Sequence, residues 1–147
     1  MLRIEFPSPD FRISHRDGNE YIFDRFRKKW LLLTPEEWVR QNFVRYLVES
    51  CNYPSTLIAL EKELKLGELK KRFDILVYDA HHQPWMMIEC KSMDVTLNDE
   101  TLQQVLRYNI AVPVPFLVIT NGHHSFGWAR QESGLSMLEE LPSHGNP

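Results

Sequence analysis

The chain has 147 residues, a formal net charge of −3 and ordinary fractions of hydrophobic (43%) and charged (25%) residues, as expected of one soluble globular domain with a real core. No apolar run approaches the length of a membrane span and the N-terminus lacks a signal-peptide core, so no membrane association is expected. Cys51 and Cys90 have neither metal-ligand spacing nor a disulfide-rich context, which predicts a cytoplasmic protein.

The first 33 residues are predicted to be extended. Segments rich in β-formers flank Asp17-Gly18-Asn19, and this turn signal predicts an N-terminal β-hairpin. A helix is predicted from Thr34 to about Ser50, because Thr34 is a good N-cap and Pro35 suits the first turn. The apolar residues just before Thr34 are interpreted as the approach to this helix.

The rest of the chain predicts a mixed sheet. Strands are expected over 56–66, 72–79, 85–91 and 116–120, with an edge strand over 125–129 and a helix from Asn98 or Asp99 to about Ala111. The first three strands suit an antiparallel meander, whereas the helix before 116–120 predicts a parallel, right-handed crossover. The expected fold is α/β in one domain over 1–147: an extended segment (1–33), a core (34–130) and a C-terminal tail (131–147) that is loose from Pro142.

Charged residues stand within two of the apolar strands. Because side chains alternate along a strand, Asp74 should face away from Phe73 and Ile75, which should share a face. In the next strand Glu89 and Lys91 should share a face, about 7 Å apart. The tight turn between the two strands is predicted to bring Asp74 beside Glu89.

This arrangement predicts a metal site, since two neighbouring buried carboxylates need a cation or an ion pair. Mg²⁺ or Mn²⁺ would bind Asp74, Glu89 and the main-chain carbonyl of Cys90. The metal would lower the pKa of a bound water and neutralise charge on a phosphate. Lys91 would orient or deprotonate that water, or hold the phosphate. The alternative for Glu89 and Lys91 is an exposed ion pair of little consequence.

The motifs resemble a nuclease superfamily. Asp74, fourteen residues and then Glu89-Cys90-Lys91 resemble the PD-(D/E)XK signature, and Gln104 to Tyr108 is similar to the Gln-x-x-x-Tyr motif of its RecB-like branch. More closely, four segments resemble the N-terminal nuclease domain of type I restriction enzyme R subunits: 34–41, 71–78, 88–91 and 118–122. The resemblance covers most of the chain and implies a restriction-endonuclease-like core.

The resemblance also implies roles for individual residues. The catalytic set would be Asp74, Glu89, Lys91, Glu37, Gln104 and Tyr108, of which Asp74, Glu89 and Glu37 would bind the metal together with the Cys90 carbonyl. DNA contacts are assigned to Arg72, Lys71, Arg40, Gln41, Gln104 and Tyr108. Glu36 is the alternative to Glu37 in the first helix, because Thr34-x-x-Glu37 also has the pattern of a capping box.

The predicted function is a divalent-metal-dependent DNA phosphodiesterase. The sequence contains no Gly-x-x-x-x-Gly-Lys-Ser/Thr loop and has no room for a motor domain, so ATP-driven translocation is not expected of this chain alone. One alternative is a catalytically silent DNA-binding or assembly module on the same fold, and another is an RNA or small-molecule phosphodiesterase. Because no strongly basic face is evident, separate restriction or repair subunits are expected to add DNA affinity. A homodimer is the other assembly that the resemblance allows.

Overall fold

A computed structural model describes residues 1–145, which form two β-sheets and two α-helices. The strands are β1 (Ile13–Arg16), β2 (Asn19–Asp24), β3 (Lys29–Leu32), β4 (Ile58–Leu66), β5 (Leu69–Tyr78), β6 (Pro84–Cys90), β7 (Phe116–Thr120), β8 (Ser125–Gln131) and β9 (Gly134–Leu138). The helices are α1 (Pro35–Arg45), which a π-helical turn continues over Tyr46–Ser50, and α2 (Asp99–Asn109); a 3-10 turn (Ser55–Leu57) precedes β4. None of these helices is long and apolar enough to cross a membrane.

The N-terminal sheet has the antiparallel order β1-β2-β3. The predicted hairpin is confirmed: Arg16 pairs with Asn19 around Asp17 and Gly18, whose φ angles of 49° and 81° suit a type I′ turn. The third strand, β3, was not predicted. Its residues were interpreted as the approach to α1, because a short run of apolar residues does not show the alternation of a half-buried strand.

The larger sheet has the order β4-β5-β6-β7-β8-β9. β6 and β7 are parallel across the α2 connection and the other neighbours are antiparallel, so the predicted meander and crossover are confirmed. The strand predicted over 125–129 is confirmed as β8, but its predicted edge position is wrong, because β9 pairs with β8 and becomes the edge.

The predicted loose tail is also corrected, over the part that the structure describes. From Pro142 onward the chain is held by the rest of the fold: the Tyr53 hydroxyl donates to the Pro142 carbonyl oxygen at 2.5 Å, and a ring nitrogen of His144 lies 2.9 Å from the Tyr78 carbonyl oxygen of β5. Asn146 and Pro147 of the predicted tail lie outside the described residues.

The helices cover opposite faces of the larger sheet. Buried residues of α1 such as Val39 and Phe43 pack with Ile88, whereas Leu102 of α2 packs with Met87. Because consecutive residues of β6 point to opposite faces, these two clusters are two separate core layers. The alternation predicted for this strand is therefore confirmed.

The alternation predicted for β5 is wrong at one point. Phe73 packs in the α2 layer, whereas Ile75 packs in the α1 layer, although both were expected to share a face. Between them the β4–β5 ladder lapses, since Asp74 and Glu61 lie opposite each other but are not paired, and Glu61 has a left-handed φ of 50°. The local break in the pleat turns the strand and leaves Asp74 half-buried.

Gly122→Ala is expected to lower the free energy of unfolding by about 2 kcal/mol. Gly122 has a left-handed φ of 89°, and a Cβ atom there would lie 3.3 Å from Cγ2 of Val39 in α1. Gly18→Ala is the matched control, because Gly18 is also left-handed (φ 81°) but has no atom within 4 Å of that position. Urea unfolding measures the free energy of unfolding of both variants. An equal loss of this free energy would contradict a tight contact between the turn at Gly122 and α1.

Candidate active site

Asp74 lies where the pairing of β5 with β6 ends. Ile75 and Ile88 are the last pair at this end, and the same register places Asp74 opposite Glu89. Instead of a main-chain contact, the Oδ2 atom of Asp74 accepts a hydrogen bond from the Cys90 N–H at 2.8 Å. The side chain thus replaces a ladder bond, and the carboxylate is held beside Glu89 and Cys90, as predicted.

Glu89 carries a buried oxygen that lacks a partner. Its Oε2 atom is inaccessible and accepts no hydrogen bond from the described residues. Burial raises the pKa of the Glu89 carboxyl above its usual range, Lys91 and Lys71 oppose the shift, and the charges of Asp74 and Glu36 add to it. An oxygen in this condition is an open position for a cation or a proton donor.

Lys91 follows the last residue of β6. Its main-chain N–H donates to the Thr120 carbonyl oxygen of β7 at 2.8 Å, so the backbone fixes its position. The following segment is tied to the same end of β7 by Asn121, a buried residue that sequence reasoning missed. The Asn121 amide donates to the Val95 carbonyl oxygen at 2.8 Å, and this bond closes one side of the site.

The α2 side of the site contains a second lysine. The ammonium of Lys71 lies 3.6 Å from the ring centroid of Tyr108, a cation–π contact. Burial lowers the pKa of Lys71, whereas the charges of Glu89 and Asp74 act to raise it. The Lys71 ammonium therefore interacts electrostatically with both carboxylates. Tyr108 is 72% exposed, and Gln104 is exposed one turn earlier on the same helix.

Glu37 is buried in α1 and both of its carboxylate oxygens are engaged. Oε1 accepts from Arg40 at 2.8 Å and from Arg27 at 3.2 Å, and Oε2 accepts from the Gln41 amide at 3.2 Å. Glu36 is exposed instead. Thr34 accepts from the Glu37 N–H at 3.0 Å, which confirms Thr34 as the N-cap. The role of Glu37 as a metal ligand stays a prediction, and residues 1–145 contain no group of three or more His, Cys, Asp or Glu side chains arranged to hold a metal.

Arg40 links the glutamates to Asp74. Its Nη1 atom bonds Glu37 and lies 3.6 Å from a carboxylate oxygen of Glu61, and its Nη2 atom lies 3.4 Å from Oδ1 of Asp74. Burial acts to lower the pKa of Arg40, but these three carboxylates outweigh it and raise the pKa. Only 6% of Arg40 is exposed. Arg40 therefore remains a fixed cation at the edge of the site.

A family model described as "Type I restriction enzyme R protein N terminus (HSDR_N)" matches residues 35–142, well over half of the chain. The chain belongs to this family. The matched segment of this R-protein N-terminal domain contains Asp74, Glu89 and Lys91. No curated protein matches the chain. The family supports the predicted resemblance to R subunits, whereas membership of the PD-(D/E)XK superfamily and the restriction-endonuclease-like core stay predictions.

Three charged residues next to the site were not predicted there: Asp24, Arg27 and Glu61. Asp24 is fully buried at the end of β2, and its Oδ1 atom accepts from the N–H groups of Phe26 and Arg27. Arg27 then reaches Glu37 and Glu61. The spacing of Asp24 and Arg27 was the only signal in the sequence, because the contacts to Glu37 and Glu61 depend on the tertiary fold.

Proposed function

We propose that this R-protein N-terminal domain is a divalent-metal-dependent DNA phosphodiesterase. The observation that carries the proposal is the unpartnered, buried Oε2 atom of Glu89, which lies in a site that also holds the Asp74 carboxylate and the charges of Lys71 and Lys91. A buried carboxylate oxygen without a partner is costly, and a cation would relieve that cost. Membership of a restriction-enzyme family supports a nuclease-related role.

The donors at the site suit a hard cation. Asp74 and Glu89 supply carboxylate oxygens, and the Cys90 carbonyl is proposed as a third donor. Mg²⁺ commonly uses one or two carboxylates and keeps several waters, and Mn²⁺ accepts similar ligands, so two carboxylates are sufficient. When bound, the metal would polarise a phosphate and make a water molecule more acidic. Glu37 near the metal remains a sequence-based prediction.

The remaining residues would bind and orient the DNA. Lys91 is proposed to hold the attacking water or a non-bridging phosphate oxygen at its ammonium. Lys71, held over Tyr108, would supply a second positive charge to the phosphate on the α2 side. The exposed side chains of Gln104 and Tyr108 are proposed to contact the nucleotides that flank the cut.

A cleavage assay tests this function. Mg²⁺ or Mn²⁺ would be added to mixed single-stranded, nicked, branched and duplex DNA, and cleavage that EDTA stops is expected. Calorimetry with Mn²⁺ should show binding that Asp74→Asn abolishes. Asp94→Asn is the matched control, since Asp94 is exposed and should leave Mn²⁺ binding unchanged. If no DNA is cut and Asp74→Asn does not alter Mn²⁺ binding, the catalytic proposal fails.

The second candidate is a catalytically silent DNA-binding or assembly module on this fold. The observation that favours it is that arginines already neutralise part of the carboxylate set: Arg40 lies against Glu37 and Asp74, and Arg27 bonds Glu37. Such a module would retard DNA in a gel equally with and without the Asp74→Asn change, and would bind no Mn²⁺. For either function we propose DNA and separate restriction subunits as partners, which the family supports.

A further inference from the structure

Glu61 of β4 gathers three arginines from three different elements. Its Oε2 atom accepts from Arg27 of the β2–β3 turn at 2.5 Å, and its Oε1 atom accepts from Arg72 of β5 at 3.2 Å. The same Oε1 atom lies 3.6 Å from Nη1 of Arg40 in α1. One carboxylate therefore fixes the relative positions of these guanidinium groups.

The backbone of Glu61 indicates that its position is constrained. A left-handed φ of 50° is uncommon for glutamate, and here it occurs in the middle of a strand. It coincides with the lapse in the ladder opposite Asp74, so Glu61 and Asp74 face the same break in the sheet. A local conformation of this kind persists only where the surrounding contacts hold it, and such positions cluster at functional sites.

Arg40 and Arg72 lie next to each other at this break, because both approach the same oxygen of Glu61. Arg40 is buried and also touches Asp74, whereas the side chain of Arg72 is 65% exposed. The two cations therefore span from the surface to the candidate metal ligand. The exposed Arg72 guanidinium suits a phosphate oxygen, and the buried Arg40 behind it adds positive charge to that position.

We propose that Glu61 is a positioning residue that holds the exposed Arg72 in place to bind a phosphate beside Asp74, with the buried Arg40 cation behind it. The phosphate is a phosphodiester of the DNA backbone, and in this respect the inference rests on the proposed function. Glu61 does not touch the DNA itself. It orders the exposed Arg72 side chain before the DNA arrives, which lowers the entropy lost on binding.

The test compares Glu61→Gln with Glu63→Gln. Glu63 lies two residues further along β4, and its ion pair with Lys70, at 3.0 Å, involves two exposed side chains. Each change removes one negative charge, so a general electrostatic effect would make both variants bind DNA slightly more tightly. Positioning predicts the opposite for Glu61→Gln alone: binding weaker by about three- to tenfold.

Binding would be measured by fluorescence anisotropy of a labelled, mixed-sequence DNA duplex in EDTA, with thermal unfolding to verify the fold. Arg72→Gln is the second variant; its exposed side chain makes loss of the fold unexpected. It should also weaken binding, and the effect of Glu61→Gln should be smaller in the Arg72→Gln background than in the wild type. In a cleavage assay, Glu61→Gln should raise KM more than it lowers kcat.

The outcomes separate this inference from the proposed function. If Glu61→Gln binds DNA as well as Glu63→Gln, or Arg72→Gln leaves binding unchanged, the positioning role is overturned even where the wild type cuts DNA. If Glu61→Gln weakens binding but the wild type cuts nothing, the positioning role stands and the nuclease function fails. A wild type that neither binds nor cuts DNA overturns both.

Discussion

Lys91→Ala is expected to abolish metal-dependent DNA cleavage, with kcat lower by at least about 100-fold, while metal binding and the fold remain. The reason is that the main-chain bond from Lys91 to the Thr120 carbonyl oxygen survives the change, whereas the ammonium beside Glu89 is lost. Single-turnover cleavage in Mg²⁺ measures the rate, and Mn²⁺ calorimetry verifies the site.

Two further lysine variants sharpen this result. Lys65→Ala removes an exposed lysine of β4 and should leave the cleavage rate close to that of the wild type. Lys91→Arg distinguishes the two roles proposed for the ammonium: it should retain part of the rate if the residue holds phosphate as a charge, and almost none if it accepts a proton. Cleavage by Lys91→Ala at the wild-type rate would remove Lys91 from the catalytic site.

Glu89→Gln is expected to change stability and activity in opposite directions. In EDTA near neutral pH the variant should be more stable than the wild type by about 1 kcal/mol, because the amide removes a charge whose buried oxygen lacks a partner. Mn²⁺ should stabilise the wild type and not the variant, since ligand binding stabilises only a chain that has the site. Cleavage by the variant should be lost. Thermal unfolding with and without Mn²⁺ measures these differences.

The pH dependence of that stability difference has a defined sign. Burial raises the pKa of Glu89 in the folded chain, so folding favours the protonated carboxyl. The cost is absent below the unfolded-state pKa of about 4.3 and complete once the pH exceeds the raised folded-state pKa. The advantage of Glu89→Gln in EDTA should therefore grow as the pH rises from about 4 toward neutrality. An advantage that stays constant over this range would show that the charge of Glu89 is not its cause.

The centre of the fold could be predicted because its signals are local. A short turn joins β5 to β6 and a helix joins β6 to β7, so topology follows from connection length. The alternation of side chains along β6 then places Glu89 on the other face of the sheet from Ile88, which is buried against α1. The short β5–β6 turn also predicts Asp74 beside Glu89, and the Asp74 carboxylate lies there, bonded to the Cys90 N–H.

Other features depend on distant parts of the chain and could not be predicted. β3 and β9 are short, and each forms a strand because a neighbour offers a free edge. Glu61 appears in the sequence as one more charged residue of a strand, and its left-handed backbone follows from the lapse opposite Asp74. Phe73 changes layers for the same reason. The contact between Arg27 and Glu61 spans 34 residues.

The Arg27 contacts connect the N-terminal sheet to the segment that the family model matches. The family match starts at residue 35, after the N-terminal sheet, yet Arg27 of the β2–β3 turn neutralises Glu37 and Glu61 within the matched region. Cutting the chain at the family boundary would remove the Arg27 guanidinium from the buried carboxylate of Glu37 and the partly exposed carboxylate of Glu61. Because Asp24 would leave together with Arg27, the loss is one of contacts and not of net charge: Glu37 would keep only Arg40 and Gln41, and Glu61 only Arg40 and Arg72.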